Sequence, residues 1–276
     1  MRIVRLWCDN TPAPDEQWQV LGSTPPRSAL KELKAMALDC LGPDTTPTLA
    51  EMAADPNLPH LGMPAPAPQH PQVPLRLIIA GTNAGINNVM SYLMRQDILW
   101  PEFGIIPHEP GFIVTYLAAL GVTARTPEEF SDPELTATPK VCLRDDNGRI
   151  ILGGLRITDW DGAPMTGEVI VDSESLFING AENQAAKPRR FSFFKNFSRG
   201  PRYMGAICVP STDHPEGLSA TAMIDPSPEN PRVYTGRALQ VGGRNLRIEV
   251  DNISRERPVE KATIYRHLRD LQLLIV

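Results

Sequence analysis

The sequence predicts an α/β N-terminal domain with a doubly wound parallel sheet, followed by a C-terminal domain that is mostly an antiparallel β-sandwich. Strand-like and helix-like segments alternate through residues 1–135, as they do in parallel sheets. From Lys140 onward apolar residues recur with a period of two, and Asn147-Gly148 and Asp161-Gly162 separate the runs as hairpin turns do. We therefore expect domains at 1–135 and 136–276.

Each element of the first half follows from its apolar spacing. The helix over Ser28–Gly42 has Ser28 as its expected N-cap and Gly42 as its stop. Prolines recur every few residues between Gly42 and Val73, which predicts an irregular surface excursion or linker. The other predicted elements are strands at Ile3–Trp7, Leu75–Ala80 and Phe103–Pro107, and helices from about Gly85 to Gln96 and from about Gly111 to Leu120.

The second half reads as consecutive hairpin strands. The runs KVCLRD, RIILGGLRITDW and GEVIVDSESLFI alternate apolar and polar residues, and VYTGRALQVGG and NLRIEVDN continue the pattern. The last segment, KATIYRHLRDLQLLIV, is apolar enough to be a buried ending that can pack back on the first domain.

Composition places the chain among globular proteins, with 42% hydrophobic and 21% charged residues in 276. A net charge of −5 argues against nucleic acid as a whole-surface partner. No run approaches the roughly 20 apolar residues that span a bilayer, and the first ten residues lack the long apolar segment of a signal peptide. We expect a cytoplasmic protein, and the sequence leaves its oligomeric state open, a homo-oligomer included.

The four cysteines are far apart and form no C-x-x-C pair, so they indicate neither a zinc site nor a disulfide framework. We expect reduced and mostly buried thiols, and we assign no metal ligands. The four are Cys8, Cys40, Cys142 and Cys208.

A tight turn joins the Leu75–Ala80 strand directly to the following helix. Such a turn aims free backbone N–H groups and the positive end of the helix dipole at one point, which suits a phosphate or a carboxylate. The plainer interpretation is an ordinary βα connection. On the first interpretation the ligand-binding residues of the turn are Gly81, Thr82, Asn83, Ala84 and Gly85.

Two titratable residues follow the next strand. His108 and Glu109 come after the carboxyl end of Phe103–Pro107, and open α/β sheets bind ligands at that edge. Both can lie beside the Gly81 turn and join the same ligand site. The alternative is that they are solvated loop residues.

A basic and aromatic run spans residues 187–203, KPRRFSFFKNFSRGPRY. Its cations, among them Lys187, Arg189, Arg190 and Lys195, alternate with phenylalanines that can enter a lipid interface. One hypothesis is a lipid or peripheral membrane contact. The structural alternative is a solvated strand face whose phenylalanines fill the core, and nucleic acid is the weakest option.

The layout and two motifs resemble the diacylglycerol kinase and NAD kinase superfamily. The family's G-G-D-G-T turn and following x-x-E-V align with Gly81–Gly85 and then Ile86–Val89. Its G-I-I-P-L-G-T-G-N-D run aligns with Gly104–Ile113, which reads GIIPHEPGFI. The family's D-G-E near the end aligns with Asp251–Ile253. The resemblance spans most of the chain, but Gly81, the GIIP run and Gly111 carry the good matches.

This chain lacks several polar groups of that pattern. The family's loop Asp is Asn83, its helix Glu is Asn88, its N-D pair is Phe112 and Ile113, and its final Glu is Ile253. Among the acids at these positions, Asp251 remains and is the catalytic candidate. Losing such groups typically costs about 3–5 kcal/mol of transition-state stabilisation, so several losses predict little catalysis.

The resemblance therefore implies two functions. In the first, the protein binds a nucleotide or another phosphate-bearing ligand between its domains and, if active, uses ATP and Mg²⁺ to phosphorylate a lipid hydroxyl. The ligand-binding residues are then the Gly81–Gly85 turn, Asn88, His108 and Glu109. In the second, the protein is a catalytically degenerate binding or regulatory protein that uses the same site without turnover.

Overall fold

The computed structural model describes residues 1–55, 62–122, 126–180, 202–215 and 217–275. Two sheets organise the chain, and each has its own apolar core. All four cysteines are buried, as the sequence predicts.

The first sheet is mostly parallel, in the order β2-β1-β3-β4-β17-β5. Every pair in it is parallel except β17 and β5, which are antiparallel. The C-terminal strand β17 thus lies in the first sheet, beside β4. The strands are β1 (Arg2–Cys8), β2 (Trp18–Val20), β3 (Leu75–Gly81), β4 (Glu102–Pro107), β5 (Ala137–Lys140) and β17 (Leu271–Leu274).

Helices connect these strands: α1 (Arg27–Leu41), α2 (Leu49–Ala54), α3 (Asn83–Arg95) and α4 (Phe112–Ala119), with a short 3₁₀ turn at Glu129–Ser131. The α3 helix begins two residues before its expected start, because Thr82 caps it. The α1 helix begins at Arg27 after Pro26, so the prediction of Ser28 as its cap is wrong. None of the helices in the described ranges is both long and apolar enough to cross a membrane.

The proline-rich stretch is not wholly irregular. Helix α2 forms inside it because Thr48 and Glu51 make a reciprocal capping box: the Thr48 hydroxyl accepts from the Glu51 amide, and the Glu51 carboxylate accepts from the Thr48 amide. The frequent prolines predict irregular structure throughout this stretch, so this short helix was not predicted.

The second sheet is antiparallel and follows the order β13-β12-β11-β8-β14-β16-β6-β7, with β9, β10 and β15 attached off this path. Together with the first sheet it confirms the predicted fold class. Its strands are β6 (Leu143–Asp145), β7 (Ile150–Ile151), β8 (Leu155–Asp159), β9 (Gly167–Val171), β10 (Glu174–Asn179), β11 (Arg202–Pro210), β12 (Leu218–Asp225), β13 (Val233–Gly236), β14 (Ala238–Val250), β15 (Ile253–Ser254) and β16 (Val259–Arg266).

Candidate functional site

The carboxyl ends of β1, β3 and β4 meet the turn between β14 and β15. The backbone amide of His108 donates to the Gly81 carbonyl at 2.8 Å, which joins the ends of β4 and β3. The amide of Phe112 donates to Asn252 Oδ1 at 2.9 Å, which joins the start of α4 to the second domain. We call this region the strand-end site, formed by Asp9, Gly81–Gly85, His108–Phe112 and Asp251–Asn252.

The first turn of α3 binds a carboxylate, and that carboxylate belongs to the chain itself. The Asn83 amide donates to Glu109 Oε2 at 2.8 Å. The Gly85 amide donates to the Thr82 hydroxyl at 3.1 Å, and the Ile86 amide donates to the Thr82 carbonyl. Among the first-turn amides, Ala84 has no hydrogen-bond partner within the described ranges. The expectation of several open amides is therefore wrong, because the side chains of Glu109 and Thr82 already accept from the Asn83 and Gly85 amides.

The two glycines of the turn are required by packing against β1. A Cβ on either Gly81 or Gly85 would lie 2.2 Å from the Cys8 carbonyl oxygen. Gly81 also has φ of +152°, a conformation that residues with a Cβ rarely adopt. The close approach of strand and helix is thus sufficient to explain both glycines.

His108 is held in a fixed orientation by two residues of β1 and its following loop. Its Nδ1 lies 2.8 Å from Asp9 Oδ2, and its ring centroid lies 4.6 Å from that of Trp7. The hydrogen bond with His108 is the main cause that lowers the pKa of Asp9. When the imidazole is neutral and donates from Nδ1, its Nε2 is a proton acceptor.

Asp251 is completely buried, and four N–H groups saturate its carboxylate. The Leu152 amide and Asn87 Nδ2 donate to Oδ2 at 3.0 and 2.8 Å. The Gly153 and Gly154 amides donate to Oδ1 at 2.8 and 3.0 Å. A carboxylate has about four acceptor sites, so none remains for a metal ion or a reacting hydroxyl. Burial raises the pKa of Asp251, while these hydrogen bonds oppose the rise.

One face of α3 carries this network toward the second domain. Asn87 Nδ2 also donates to the Ile150 carbonyl at 2.8 Å. The Ser91 hydroxyl donates to Asn87 Oδ1 at 3.1 Å and accepts from the Ile150 amide at 3.0 Å. Asn87 lies in the aligned motif without a predicted role, and the pairing of Asp9 with His108 was not predicted. The four-residue spacing of Asn87 and Ser91 was the available signal, since it puts both on one helix face.

Two other predictions fall outside the strand-end site. Asn88 is exposed, and its Nδ2 donates to the Ser23 carbonyl at 3.3 Å instead of facing the Gly81 turn. The cations proposed for a membrane contact lie outside the described residues, so that contact stays a prediction. They are Lys187, Arg189, Arg190 and Lys195.

The residues present do not fit the Mg²⁺ that the resemblance implies. Within the described part of the chain, no three His, Cys, Asp or Glu side chains are grouped to hold a metal ion. Asp251 has no acceptor site to contribute, and the carboxylates of Asp9 and Glu109 are each bonded within the chain. The strand-end site thus offers hydrogen-bond donors, one imidazole and an exposed acid.

Comparisons with known proteins agree at the level of fold. No family model matches the sequence, and no curated protein matches it either. A putative diacylglycerol kinase from Bacillus anthracis str. Sterne has a TM-score of 0.58 at 7% identity, and a diacylglycerol kinase from the same organism has 0.56 at 10%. Both alignments cover 100% of this chain and 97% of the other. An NAD kinase from Archaeoglobus fulgidus, solved in complex with ATP, gives 0.46 at 12%, covering 99% and 93%.

The two full-length Bacillus anthracis matches confirm the predicted resemblance as a resemblance of fold. The chain has the two-domain kinase-like architecture of the Bacillus anthracis diacylglycerol kinase structures. At such low identity the likeness concerns architecture, and the function has to be argued from the strand-end site.

Proposed function

We propose that this protein is a catalytically degenerate binding protein with a diacylglycerol kinase-like fold. It takes a nucleotide or another phosphate-bearing ligand at the strand-end site and does not transfer phosphate. The observation that carries this proposal is the saturated carboxylate of Asp251, the one acid that remains at the positions of the kinase motifs.

The absence of transfer follows from the surroundings of Asp251. A base for an attacking hydroxyl must come within hydrogen-bond reach of it, about 2.6–3.2 Å. Asp251 is 0% exposed and is enclosed by Asn87 and residues 152–154. Its role is to join α3 to the second domain, which is a positioning role.

The proposed binding of a phosphate group, without catalysis, depends on the first turn of α3. The Asn83 amide already holds a carboxylate, which indicates that this helix terminus favours an anion. Glu109 is exposed, so a ligand phosphate can replace it without uncovering a buried group. The Ala84 amide beside it has no partner among the described residues and can donate to the same phosphate.

The first experiment measures transfer of radiolabelled phosphate from ATP to mixed lipids at high protein concentration, with Mg²⁺ present. We expect no transfer above that of a heat-denatured sample. Phosphorylated lipid that increases with protein concentration would show that the catalytic part of the proposal is wrong.

The second experiment measures the melting temperature with and without ATP for the wild type and Glu109→Gln. A ligand at about 100 times its Kd adds roughly 2.7 kcal/mol to the free energy of unfolding, so stabilisation by several degrees is expected. The shift should be larger in E109Q, because the neutral side chain competes less well with phosphate for the Asn83 amide. The matched control is Glu260→Gln, at an exposed acid on β16. Equal shifts of the melting temperature in all three proteins would show that ATP binds away from the strand-end site. No shift in any of them would refute nucleotide binding.

A lipid kinase remains the second candidate, and the pairing of Asp9 with His108 favours it. Aspartate-oriented histidine is a common general base, and Nε2 of His108 could accept a proton in place of the missing acids. In that case transfer would be detectable in the wild type and lost in His108→Asn. The first experiment decides between the two.

A further inference from the structure

The carboxylate that occupies the first turn of α3 belongs to the short loop 108–111 between β4 and α4. Glu109 Oε2 accepts from the Asn83 amide at 2.8 Å, and the Pro110 carbonyl accepts from Asn83 Nδ2 at 3.4 Å. The Glu109 carboxylate thus lies where the proposed function places a ligand phosphate. What holds this loop in place therefore decides whether the strand-end site is open to a ligand.

The far end of the loop is held by the second domain. Gly111 is the N-cap of α4, and it has no side chain that could accept from the first helical amides. Asn252, in the turn between β14 and β15, supplies the missing acceptor, since its Oδ1 accepts from the Phe112 amide at 2.9 Å. The two chains approach so closely that a Cβ on Gly111 would overlap Asn252 Oδ1. Asn252 therefore fixes where the loop ends and α4 begins.

Pro110 makes the loop stiff between its two ends. A proline fixes its own φ, and it restricts the residue before it to extended conformations. Glu109 and Pro110 therefore have little backbone freedom with which to absorb a movement of Gly111. When the Gly111 end of the loop moves, the Glu109 side chain has to move with it.

Neither contact is buried, so the loop can open at low cost. Glu109 and Asn252 are both exposed, and water can replace the partner that each of them loses. The net contribution of one such hydrogen bond shifts an equilibrium by about 2- to 10-fold. The loop is thus held closed weakly enough for a ligand to compete with it.

The aligned kinase motifs have glycine at both positions. The second glycine of G-I-I-P-L-G-T-G-N-D aligns with Glu109, and the glycine of D-G-E aligns with Asn252. Because glycine has no side chain, the motifs themselves require neither contact. Asn252 has φ of +67°, which glycine adopts without strain, so a return to glycine removes the acceptor and leaves the turn intact.

We propose that Glu109 is an autoinhibitory residue of the strand-end site and that Asn252 is the latch that keeps it in place. While Asn252 accepts from the Phe112 amide, the Glu109 carboxylate occupies the Asn83 amide and competes with a ligand phosphate. When that hydrogen bond breaks, the loop moves away and the Asn83 amide becomes available. This regulation rests on the proposed function, because it concerns the same phosphate position.

Calorimetric titration with ATP tests the latch in four proteins: the wild type, Asn252→Gly, Glu109→Gln and the double variant. We expect N252G to bind ATP about 2- to 10-fold more tightly than the wild type, because more of the protein is in the open form. In the E109Q background, N252G should change the affinity by less than about twofold, because both substitutions act through one carboxylate. An unchanged affinity of N252G, or an equal gain in both backgrounds, would overturn the latch.

Two further variants separate the latch from a general effect on the turn. Asn245→Gly is the matched control, because Asn245 also has a positive φ, of +55°, and its side chain donates to Asp161. We expect N245G to bind ATP like the wild type. Asn252→Asp keeps an acceptor for the Phe112 amide, so it should bind ATP no more tightly than the wild type. Tighter binding by N252D would contradict the proposal even if N252G did not fold.

Failure of the latch can be told apart from failure of the proposed function. If none of the proteins binds ATP, the nucleotide site itself is refuted, and the latch with it. If E109Q binds more tightly than the wild type while N252G does not, the site stands and only the latch is refuted. The melting temperature without ATP adds an independent readout: a merely structural Asn252 would lower it in N252G and leave the ATP affinity unchanged.

Discussion

His267 is a buried histidine in the connection between β16 and β17, where the chain returns from the second sheet to the first. It is 4% exposed, and its backbone amide donates to the Cys142 carbonyl at 2.7 Å. Burial, with the nearby charges of Arg144 and Arg269, lowers the pKa of His267 from 6.5 to about 4. The folded protein therefore holds this imidazole in its neutral form under conditions where the unfolded chain protonates it.

We predict an acid-sensitive component of stability that depends on His267. Between about pH 6.5 and pH 4 the unfolded chain binds the proton more readily, so stability falls as the pH is lowered through this window. At pH 5 the expected loss from this one group is about 2 kcal/mol. Urea unfolding at pH 7.5 and pH 5 should show a smaller pH effect in His267→Gln than in the wild type. A variant at the exposed His214, H214Q, should keep the wild-type difference, and an equal pH effect in H267Q would contradict the assignment.

At the scale of elements, α3 connects the strand-end site to the second domain. Its first turn binds Glu109 through the Asn83 amide, and its inner face binds Asp251 and Ile150 through Asn87. Thr82 fixes where the helix begins, because its hydroxyl accepts from the Gly85 amide. The position of α3 along its axis thus sets both the hydrogen bond between Asn83 and Glu109 and the hydrogen bonds that Asn87 makes with Asp251 and Ile150.

We predict that Gly85→Ala destabilises the protein although alanine is the better helix former. Intrinsic propensity would favour alanine by about 1 kcal/mol. The added Cβ, however, would lie 2.2 Å from the Cys8 carbonyl oxygen, and overpacking of this kind costs about 1–3 kcal/mol. Denaturant unfolding should show a net loss for G85A. Gly180→Ala, where a Cβ meets nothing within 4 Å, should be neutral or slightly stabilising, and a gain for G85A would show that β1 can move away from the turn.

At the scale of the whole molecule, Asp251 joins the two sheets through hydrogen bonds. It lies just after β14 in the second sheet, and Asn87 belongs to the helix that follows β3 in the first. The loop between β7 and β8 supplies the other three donors. An unpaired charge or donor at such a joint is costly, since water cannot replace the lost partner.

We predict that Asp251→Asn destabilises the whole chain by about 3 kcal/mol or more. The new NH₂ group would face N–H donors that now point at a carboxylate, so at least two buried donors lose their acceptor. Urea unfolding of D251N should show this loss, while Asp39→Asn, at an exposed residue of α1, should change stability by less than about 0.5 kcal/mol. A D251N protein of wild-type stability would reopen a catalytic role for this acid.

Much of the architecture could be predicted from local patterns. Alternating strands and helices up to Leu120 predicted the mostly parallel sheet, and the turns at Asn147-Gly148 and Asp161-Gly162 predicted antiparallel strands. Helix α2 and strand β2 were missed because one lies among prolines and the other has three residues, too few for a period to show.

The sequence by itself determined the alternation of elements, the resemblance of fold and the position of the Gly81 turn between β3 and α3, because each is written in neighbouring residues. Only the tertiary structure decided which group accepts hydrogen bonds from the amides of that turn and which groups Asp251 contacts. The Glu109 carboxylate reaches the Asn83 amide across 26 positions, and Asn87 reaches Asp251 across 164. Residues at such separations in the chain come into contact only when the sheets pack and the intervening loops close. The periodicity of neighbouring residues therefore cannot predict these contacts.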